Sequence, residues 1–291
     1  MGPTDPDGSS ADRVCVVTGA SSGIGKAASL ALARLGTTVV LVCRDPARGQ
    51  SALADVAAAA ASAGSAQLPT LELADLSSLD QVRDLARRLG ARPRIDVLVN
   101  NAGLTVGHRQ LTSDGFEQTF AVNHLAPFLL TNLLRPRLDA SAPARVVNVA
   151  STAHRGARID LGDLQAERLY LPMLAYANSK LANILFTREL ARRLDRTGVT
   201  ANCLHPGTLA TRFGQSGSLA LRLGLGMARP FLRSAESGGN TVVYLASSPE
   251  VADRTGGYYV GREPRVPSRA ARDDALAREL WEVSARLTGI A

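Results

Sequence analysis

The chain has 291 residues, of which 45% are hydrophobic and 20% are charged. This length allows one large α/β domain or two small ones, the apolar content excludes a disordered chain, and no apolar run is long enough to span a membrane. The net charge of +7 could indicate a nucleic-acid partner, but the basic residues are scattered and aromatic residues make up only 4%. We therefore expect no nucleic-acid binding.

Residues 1–12 are rich in Pro, Asp, Gly and Ser and lack the basic and apolar regions of a secretion signal. We expect a disordered N-terminal tail and a cytoplasmic protein without a transmembrane segment. The three cysteines lie far apart in apolar stretches, and the four histidines lack metal-ligand spacing. The sequence therefore predicts buried thiols and no metal site.

Short β-branched runs alternate with Ala- and Leu-rich helical stretches along the chain. The predicted strands are 14–18, 39–43, 67–73, 95–99, 145–150, 199–204 and 258–260. The predicted helices are 24–35, 46–63, 79–89, 116–138, 174–194 and 235–246, and we expect Pro127 to bend the fourth. Without a linker to interrupt it, this order predicts an α/β fold: a doubly wound parallel sheet (Rossmann) with helices on both faces, as a single domain over 13–291.

A glycine-rich turn, TGASSGIG (18–25), joins the first strand to the first helix. Any tight turn can use glycine, but this strand–turn–helix context favours a dinucleotide pyrophosphate at the helix N-terminus. Enzymes for NAD usually place an acid at the end of the second strand, where this chain has Cys43 and then Arg44. A guanidinium suits the 2′-phosphate of NADP(H), which is the predicted cofactor, and Asp45 is better interpreted as a helix N-cap.

Polar residues end two later strands, the Asn100–Asn101 pair at the fourth and Ser151 at the fifth, and Tyr176 and Lys180 lie on the helix that follows. Taken singly, an Asn pair is usually a turn, a strand-end Ser a cap and a Tyr a half-buried surface residue. Tyr176 and Lys180 are four residues apart and therefore share a helical face. These two residues, Ser151 and the asparagine pair are all expected at the carboxyl edge of the sheet, where such folds bind ligands. Only two of the 33 basic residues are lysines, Lys26 and Lys180, which hints at chemistry that arginine cannot perform.

These motifs together resemble the short-chain dehydrogenase/reductase superfamily over nearly the whole chain. They are TGASSGIG (18–25), Asp75-Leu76, NNAG (100–103), Asn123, Ser151, YANSK (176–180) and HPGTLAT (205–211). Further segments resemble the retinol-dehydrogenase-like branch of that superfamily. They are residues 121–131, 175–194, 198–207 and 268–290.

The resemblance implies a catalytic set of Tyr176, Lys180, Ser151 and Asn123. Tyr176 would give its proton to a carbonyl oxygen, Lys180 would lower the tyrosine pKa, and Ser151 would donate a second hydrogen bond. Asn123 would hold a kink and a water that extends the proton relay. The implied cofactor contacts are Gly19, Ser21, Ser22, Gly23, Ile24, Gly25, Arg44, Asp75, Leu76, Asn101, Ala102, Gly103, Tyr176, Lys180, Pro206, Gly207 and Thr211.

Residues 212–234 alternate leucines with arginines and occupy the place of a substrate lid. An amphipathic helix packed on the core and a helix on a membrane surface are the alternatives. The predicted function is NADPH-dependent reduction of a carbonyl on a bulky lipophilic substrate, either a retinal-like aldehyde or a polyketide-type ketone of antibiotic biosynthesis. Oxidation of a secondary alcohol and non-catalytic NADP(H) sensing are the alternatives, and the resemblance implies a homo-oligomer.

Overall fold

The computed structural model describes residues 13–207 and 235–290, within which the apolar runs pair into one eight-stranded sheet. The strands are β1 (Val14–Thr18), β2 (Thr38–Cys43), β3 (Thr70–Leu73), β4 (Val97–Asn100), β5 (Ala144–Val149), β6 (Val199–His205), β7 (Tyr258–Val260) and β8 (Glu263–Pro264). Their order in the sheet is β3-β2-β1-β4-β5-β6-β7-β8. Strands β1 to β7 are parallel to their neighbours, and β8 pairs antiparallel with β7.

Helices cover both faces of the sheet. They are α1 (Gly23–Arg34), α2 (Pro46–Ser62), α3 (Leu79–Gly90), α4 (Gln118–Phe120), α5 (Ala126–Ala140), α6 (Pro172–Arg193), α7 (Ala235–Ser247) and α8 (Asp274–Thr288). Side chains alternate along each strand, so Val16 packs with α3, α5, α6 and α8, whereas Cys15 and Val17 pack with α1, α2 and α7. The predicted doubly wound α/β fold is confirmed.

The predicted helix over 116–138 is observed as helical turns that run from Gln118 to Ala140, with one irregularity. A π-turn (Ala121–Leu125) separates α4 from α5, and Pro127 lies in the first turn of α5. The irregularity therefore contains Asn123, where the resemblance implied a kink, and comes just before the bend expected at Pro127. Proline at 127 removes the N–H that would bond to the carbonyl of residue 123, so the turn before it is free to widen.

Two elements at the C-terminal end have no counterpart among the predicted strands and helices. Strand β8 has only two residues, and it makes one edge of the otherwise parallel sheet antiparallel. Helix α8 begins after Asp273, whose carboxylate accepts from the amides of Ala275 and Leu276. It packs Trp281 between Phe128 and Phe186, at centroid distances of 4.9 and 5.7 Å.

All three cysteines are buried, as predicted, and none forms a disulfide within the described residues. Burial raises the pKa of the Cys203 thiol to about 12 and moves that of Cys15 in the same direction. These thiols stay protonated and behave as small apolar side chains. In the part of the chain that the structure describes, no three acidic, His or Cys side chains gather as metal ligands, and no helix could cross a membrane.

Candidate active site

The candidate site lies where β1, β4, β5 and β6 end, because parallel strands bring their carboxyl ends to one edge of a sheet. Strand β1 leads into the glycine turn, and β4 leads into the NNAG segment (100–103). Strand β5 is followed by Ser151, and β6 ends at His205. The structure therefore brings the sequence motifs from four separate segments to a single edge.

The glycine turn is tightly folded and leaves the N-terminus of α1 without a capping side chain in the described structure. Ser22 is the N-cap residue but makes no side-chain cap, and the first turn of α1 carries no acid among the described residues. Gly19 has φ +67° and donates its amide to Val42 at 2.9 Å. A Cβ on Gly25 would collide with the Gly19 carbonyl and the Asn101 amide. This compact turn with uncapped helix amides fits the pyrophosphate of a dinucleotide.

Thr18, a residue that sequence reasoning did not single out, joins the glycine turn to the NNAG segment. Its Oγ1 donates to the Val99 carbonyl at 3.2 Å and accepts from the amides of Asn101 and Ala102 at 3.0 and 3.1 Å. The side-chain amide of Asn101 donates a hydrogen bond to the Thr18 carbonyl at 2.8 Å. The end of β1 and the end of β4 are thus held together as one surface.

Two exposed arginines lie in the segment that leads from β2 into α2. Arg44 directly follows the strand, and Arg48 lies in the first turn of α2, where its charge acts on the Cys43 thiol. Burial nevertheless raises the pKa of Cys43 overall. Asp45 caps α2 by accepting from the Arg48 amide at 2.9 Å, which confirms the N-cap prediction. Both guanidinium groups are thus available to an anion beside the glycine turn.

Asp75 and Leu76 follow β3 on the same edge, but parts of both are already engaged. One carboxylate oxygen of Asp75 accepts from the amide and hydroxyl of Ser77 at 2.9 and 2.8 Å. The Leu76 side chain is buried in the core cluster. A bound adenine would therefore meet the remaining oxygen of Asp75 and the backbone at 76.

Tyr176 and Lys180 lie on successive turns of α6, which begins at Pro172. The Lys180 Nζ is 5.6 Å from the centroid of the Tyr176 ring and donates to the Val149 carbonyl at 2.8 Å. Lys180 is only 3% exposed, and this burial lowers its pKa to about 8. Burial also raises the pKa of Tyr176, while a hydrogen bond with Ser151 acts in the opposite direction. The phenol is therefore protonated at neutral pH.

Ser151 lies two residues after the end of β5 and is hydrogen-bonded to Tyr176. Its Oγ accepts from the Ala153 amide at 3.2 Å, so it caps the short 3₁₀-helix Thr152–Gly156. Because that amide occupies a lone pair of Oγ, the hydroxyl proton remains to be donated elsewhere. A substrate carbonyl that replaced the hydrogen bond between Ser151 and Tyr176 would accept it.

Asn123 lies in the π-turn, and its side chain links two loops of the site. Its Oδ1 accepts from the Leu104 amide at 2.8 Å, and its Nδ2 donates to the Leu104 carbonyl and to Ser179 Oγ, both at 2.9 Å. Ser179, which the sequence did not single out, donates in turn to the Tyr176 carbonyl at 2.7 Å. Asn123 therefore joins the loop after β4 to the turn of α6 that carries Tyr176, and its expected relay through a water stays a prediction.

The other expected site residues fall in three groups. Gly103 lies close enough to Lys180 that a Cβ there would be 3.3 Å from Nζ. Pro206 and Gly207 follow β6, with Pro206 against Gly238 of α7. Thr211 and the expected lid, 212–234, lie outside the described residues. Of the two lysines in the chain, Lys26 forms an ion pair with Asp55 of α2. The rarity of lysine is therefore not enough to identify a residue of the candidate site.

Comparisons with known proteins agree with this geometry. A family model described as short chain dehydrogenase matches residues 13–220. Retinol dehydrogenase 14 of Mus musculus is 42% identical over 294 aligned residues, which cover 96% of this chain and 86% of the mouse protein.

Solved structures show the same fold. An uncharacterized protein from Mycobacterium Paratuberculosis matches with a TM-score of 0.76 and 36% identity, over 95% of this chain and 93% of that protein. A blue fluorescent protein from a metagenomic library, solved in complex with NADPH, matches with a TM-score of 0.67 and 27% identity, over 86% of this chain and 97% of that protein. The chain belongs to the short-chain dehydrogenase/reductase family, in its retinol-dehydrogenase-like branch, and is a nicotinamide-dependent oxidoreductase.

Proposed function

We propose that the protein uses NADPH to reduce a carbonyl group on a bulky lipophilic substrate to the alcohol. The observation that carries this proposal is the meeting of Ser151, Tyr176 and Lys180 at the sheet edge. The uncapped N-terminus of α1 lies at the same edge and offers its amides to a cofactor phosphate. One side of the site thus suits a dinucleotide and the other a reacting carbonyl.

NADPH, when bound, supplies the hydride that reduces the carbonyl carbon. Tyr176 gives its phenolic proton to the carbonyl oxygen, and its raised pKa keeps that proton in place at neutral pH. Ser151 donates a second hydrogen bond to the same oxygen and stabilises the negative charge that develops there. The Lys180 ammonium favours the phenolate that remains. The same residues acting in reverse would oxidise the alcohol.

The preference for NADPH rests on Arg44 and Arg48. Both are exposed at the end of β2, where a 2′-phosphate would lie and where an NAD-specific site would carry an acid. The NADPH complex of the blue fluorescent protein supports this choice. Gly19, the 21–25 turn, the NNAG segment and Pro206-Gly207 would hold the rest of the dinucleotide, with Thr211 as a further predicted contact.

A lipophilic substrate is supported by apolar surface next to Tyr176. Met173 lies one turn before Tyr176 on the same face of α6 and is 56% exposed. The neighbouring Leu171 and Leu174 are 49% and 37% exposed. The relative named retinol dehydrogenase 14 makes a retinal-like aldehyde the first substrate to test, and a polycyclic ketone of the polyketide type is the second.

We also propose that the protein forms a homo-oligomer.

The test is a screen for NADPH consumption with all-trans-retinal, shorter lipophilic aldehydes and polycyclic ketones, with NADH in parallel. We expect turnover with at least one of these classes and a kcat/KM about 10-fold or more higher with NADPH than with NADH. Tight NADPH binding without turnover on the whole panel would instead identify a cofactor-sensing protein. A preference for NADH would contradict the role of Arg44.

A further inference from the structure

The peptide group that joins Ser151 to Thr152 is hydrogen-bonded at both ends by histidines. The Ser151 carbonyl lies 2.6 Å from Nδ1 of His154. The Thr152 amide donates to Nδ1 of His205 at 3.2 Å. His154 comes from the 3₁₀-helix after β5, whereas His205 is the last residue of β6. Two separate elements thus hold the one peptide group that follows the candidate catalytic serine.

The partners of His154 determine where its proton lies. A carbonyl oxygen can only accept, so Nδ1 must carry a hydrogen and donate it to Ser151. Nε2 accepts from the Ser268 amide at 3.1 Å, so it must carry a lone pair. His154 is therefore the neutral Nδ1–H tautomer. Burial and the nearby Arg155 lower its pKa, although the bond to Ser151 acts in the opposite direction, and the net shift agrees with a neutral ring.

The partner of His205 requires the opposite tautomer. The backbone amide of Thr152 can only donate, so Nδ1 of His205 must be unprotonated. The hydrogen of the neutral ring is then on Nε2. The two histidines thus present a donor and an acceptor to the two ends of one peptide group.

His154 itself is held rigidly. It is fully buried, and its ring packs edge-on against Tyr258 with a centroid distance of 5.1 Å. The segment that contains Ser268 is fixed to the same 3₁₀-helix a second time, because Arg155 donates to the Val266 carbonyl at 3.2 Å. The segment after β8, remote in sequence, is therefore part of the support of Ser151.

We propose that His154 and His205 are positioning residues that hold the Ser151–Thr152 peptide, so that the Ser151 hydroxyl is directed at Tyr176 and the substrate. Rotation of this peptide would change ψ of Ser151, now 155°, and with it the bond of Ser151 Oγ to the Ala153 amide. A displacement of about 1 Å of such a donor costs about 100-fold in rate. The functional part of this proposal rests on the function proposed above, whereas the tautomers do not.

The first test is the imidazole nitrogen NMR spectrum of the wild-type protein labelled with ¹⁵N-histidine. The chain has four histidines, so the spectrum can be assigned from His154→Asn and His205→Asn samples. We expect His154 as the Nδ1–H tautomer and His205 as the Nε2–H tautomer. A protonated ring, or the reverse tautomer at either position, overturns the proposal whether or not the enzyme is active.

The second test separates positioning from simple loss of packing. His154→Leu should lower kcat by about 10- to 100-fold while the KM for NADPH stays unchanged. The substitution removes the 2.6 Å side-chain donor to the Ser151 carbonyl and leaves only the longer bond from the backbone amide of residue 154, at 3.3 Å. His154→Asn places an amide N–H where Nδ1 was and should recover most of that kcat. Equal kcat values in the Leu and Asn variants would refute a positioning role.

The matched control is Tyr258→Phe, which removes a buried hydroxyl without a hydrogen-bond partner among the described residues and keeps the ring beside His154. We expect its kcat to equal that of the wild type. A kcat as low as that of His154→Leu would show that any change beside His154 lowers the rate, and would refute a specific role of the hydrogen bond from His154 to Ser151. A Tyr176→Phe enzyme with normal turnover would overturn the proposed function and leave the tautomers unaffected.

Discussion

Removal of the Lys180 charge by Lys180→Met should shift the ionisation of Tyr176. The Lys180 Nζ is 5.6 Å from the centroid of the Tyr176 ring, and the amine is almost completely buried. Two unit charges at that distance interact by about 3 kcal/mol at an effective dielectric constant of about 20, which corresponds to about 2 pKa units. The variant should therefore hold about 100-fold less phenolate at pH 7.

The sign of the effect depends on the pKa of Lys180 itself. Burial lowers that pKa to about 8, so the amine is charged below this pH and loses its charge above it. Stabilisation of the phenolate is thus present at neutral pH and fades as the pH rises through 8. Because the two groups interact strongly, the pH profile reports the pair and not either residue alone.

The assay is the pH dependence of kcat/KM for NADP⁺-dependent oxidation of the product alcohol, where phenolate is the base. For Lys180→Met we expect the apparent pKa about 2 units higher, a rate about 100-fold lower at pH 7, and recovery at high pH. Lys26→Met is the matched control, because Lys26 pairs with Asp55 away from Tyr176, and it should keep the wild-type profile. A uniform loss at every pH, without a shift, would refute electrostatic tuning of the tyrosine.

Three further variants test the cofactor site and the core. Arg44→Asp should lower the ratio of kcat/KM for NADPH over NADH by about 10- to 100-fold, whereas Arg34→Asp, exposed at the far end of α1, should leave that ratio unchanged. Gly25→Ala should weaken NADPH binding in fluorescence titration by about 10- to 100-fold, because the added methyl group would displace the glycine turn. Gly90→Ala is the control, because Gly90 has open space around it, and its NADPH affinity should stay unchanged. Trp281→Ala should lower the free energy of unfolding by about 3–5 kcal/mol in denaturant titration, since Trp281 is 7% exposed between two phenylalanines. Unchanged NADPH preference, unchanged NADPH affinity or unchanged stability in the respective variant would contradict these three assignments.

The sequence predicts the strands well because buried parallel strands are continuous β-branched runs between turns. Strand β1 matches its predicted bounds, β6 differs by one residue at one end, and β5 differs by one residue at each end. Strand β3 begins three residues later than predicted, at Thr70, since Pro69 has no amide for the ladder. Local composition thus locates the strand interiors better than their ends.

The π-turn, α8 and β8 were not predicted from the sequence, each for a different reason. The π-turn is held by bonds of Asn123 to Leu104 and Ser179, and nothing local to 121–125 shows them. Helix α8 is different, because the Asp273 N-cap and the spacing of Ala277, Leu280 and Trp281 are visible in the sequence and could have identified it. Strand β8 has two residues and therefore no periodicity to detect.

Sequence motifs identified most of the candidate site residues. Single residues whose partners come from distant segments of the chain were not identified. Glycine spacing and the Tyr176–Lys180 interval are local patterns. Thr18, His154 and His205 become informative only when separate strands and the C-terminal segment place their partners beside them. An isolated histidine in a sequence carries no such information.

The most direct test of the central claim is a single-turnover measurement of NADPH oxidation by Tyr176→Phe with a carbonyl substrate that the wild type reduces. The claim predicts that the variant binds NADPH with wild-type affinity but reduces the substrate at least about 100-fold more slowly, because the phenolic proton is gone. The phenyl ring keeps the packing of α6, so the loss would report the hydroxyl alone. Reduction by Tyr176→Phe at the wild-type rate would contradict the assignment of Tyr176 as the proton donor.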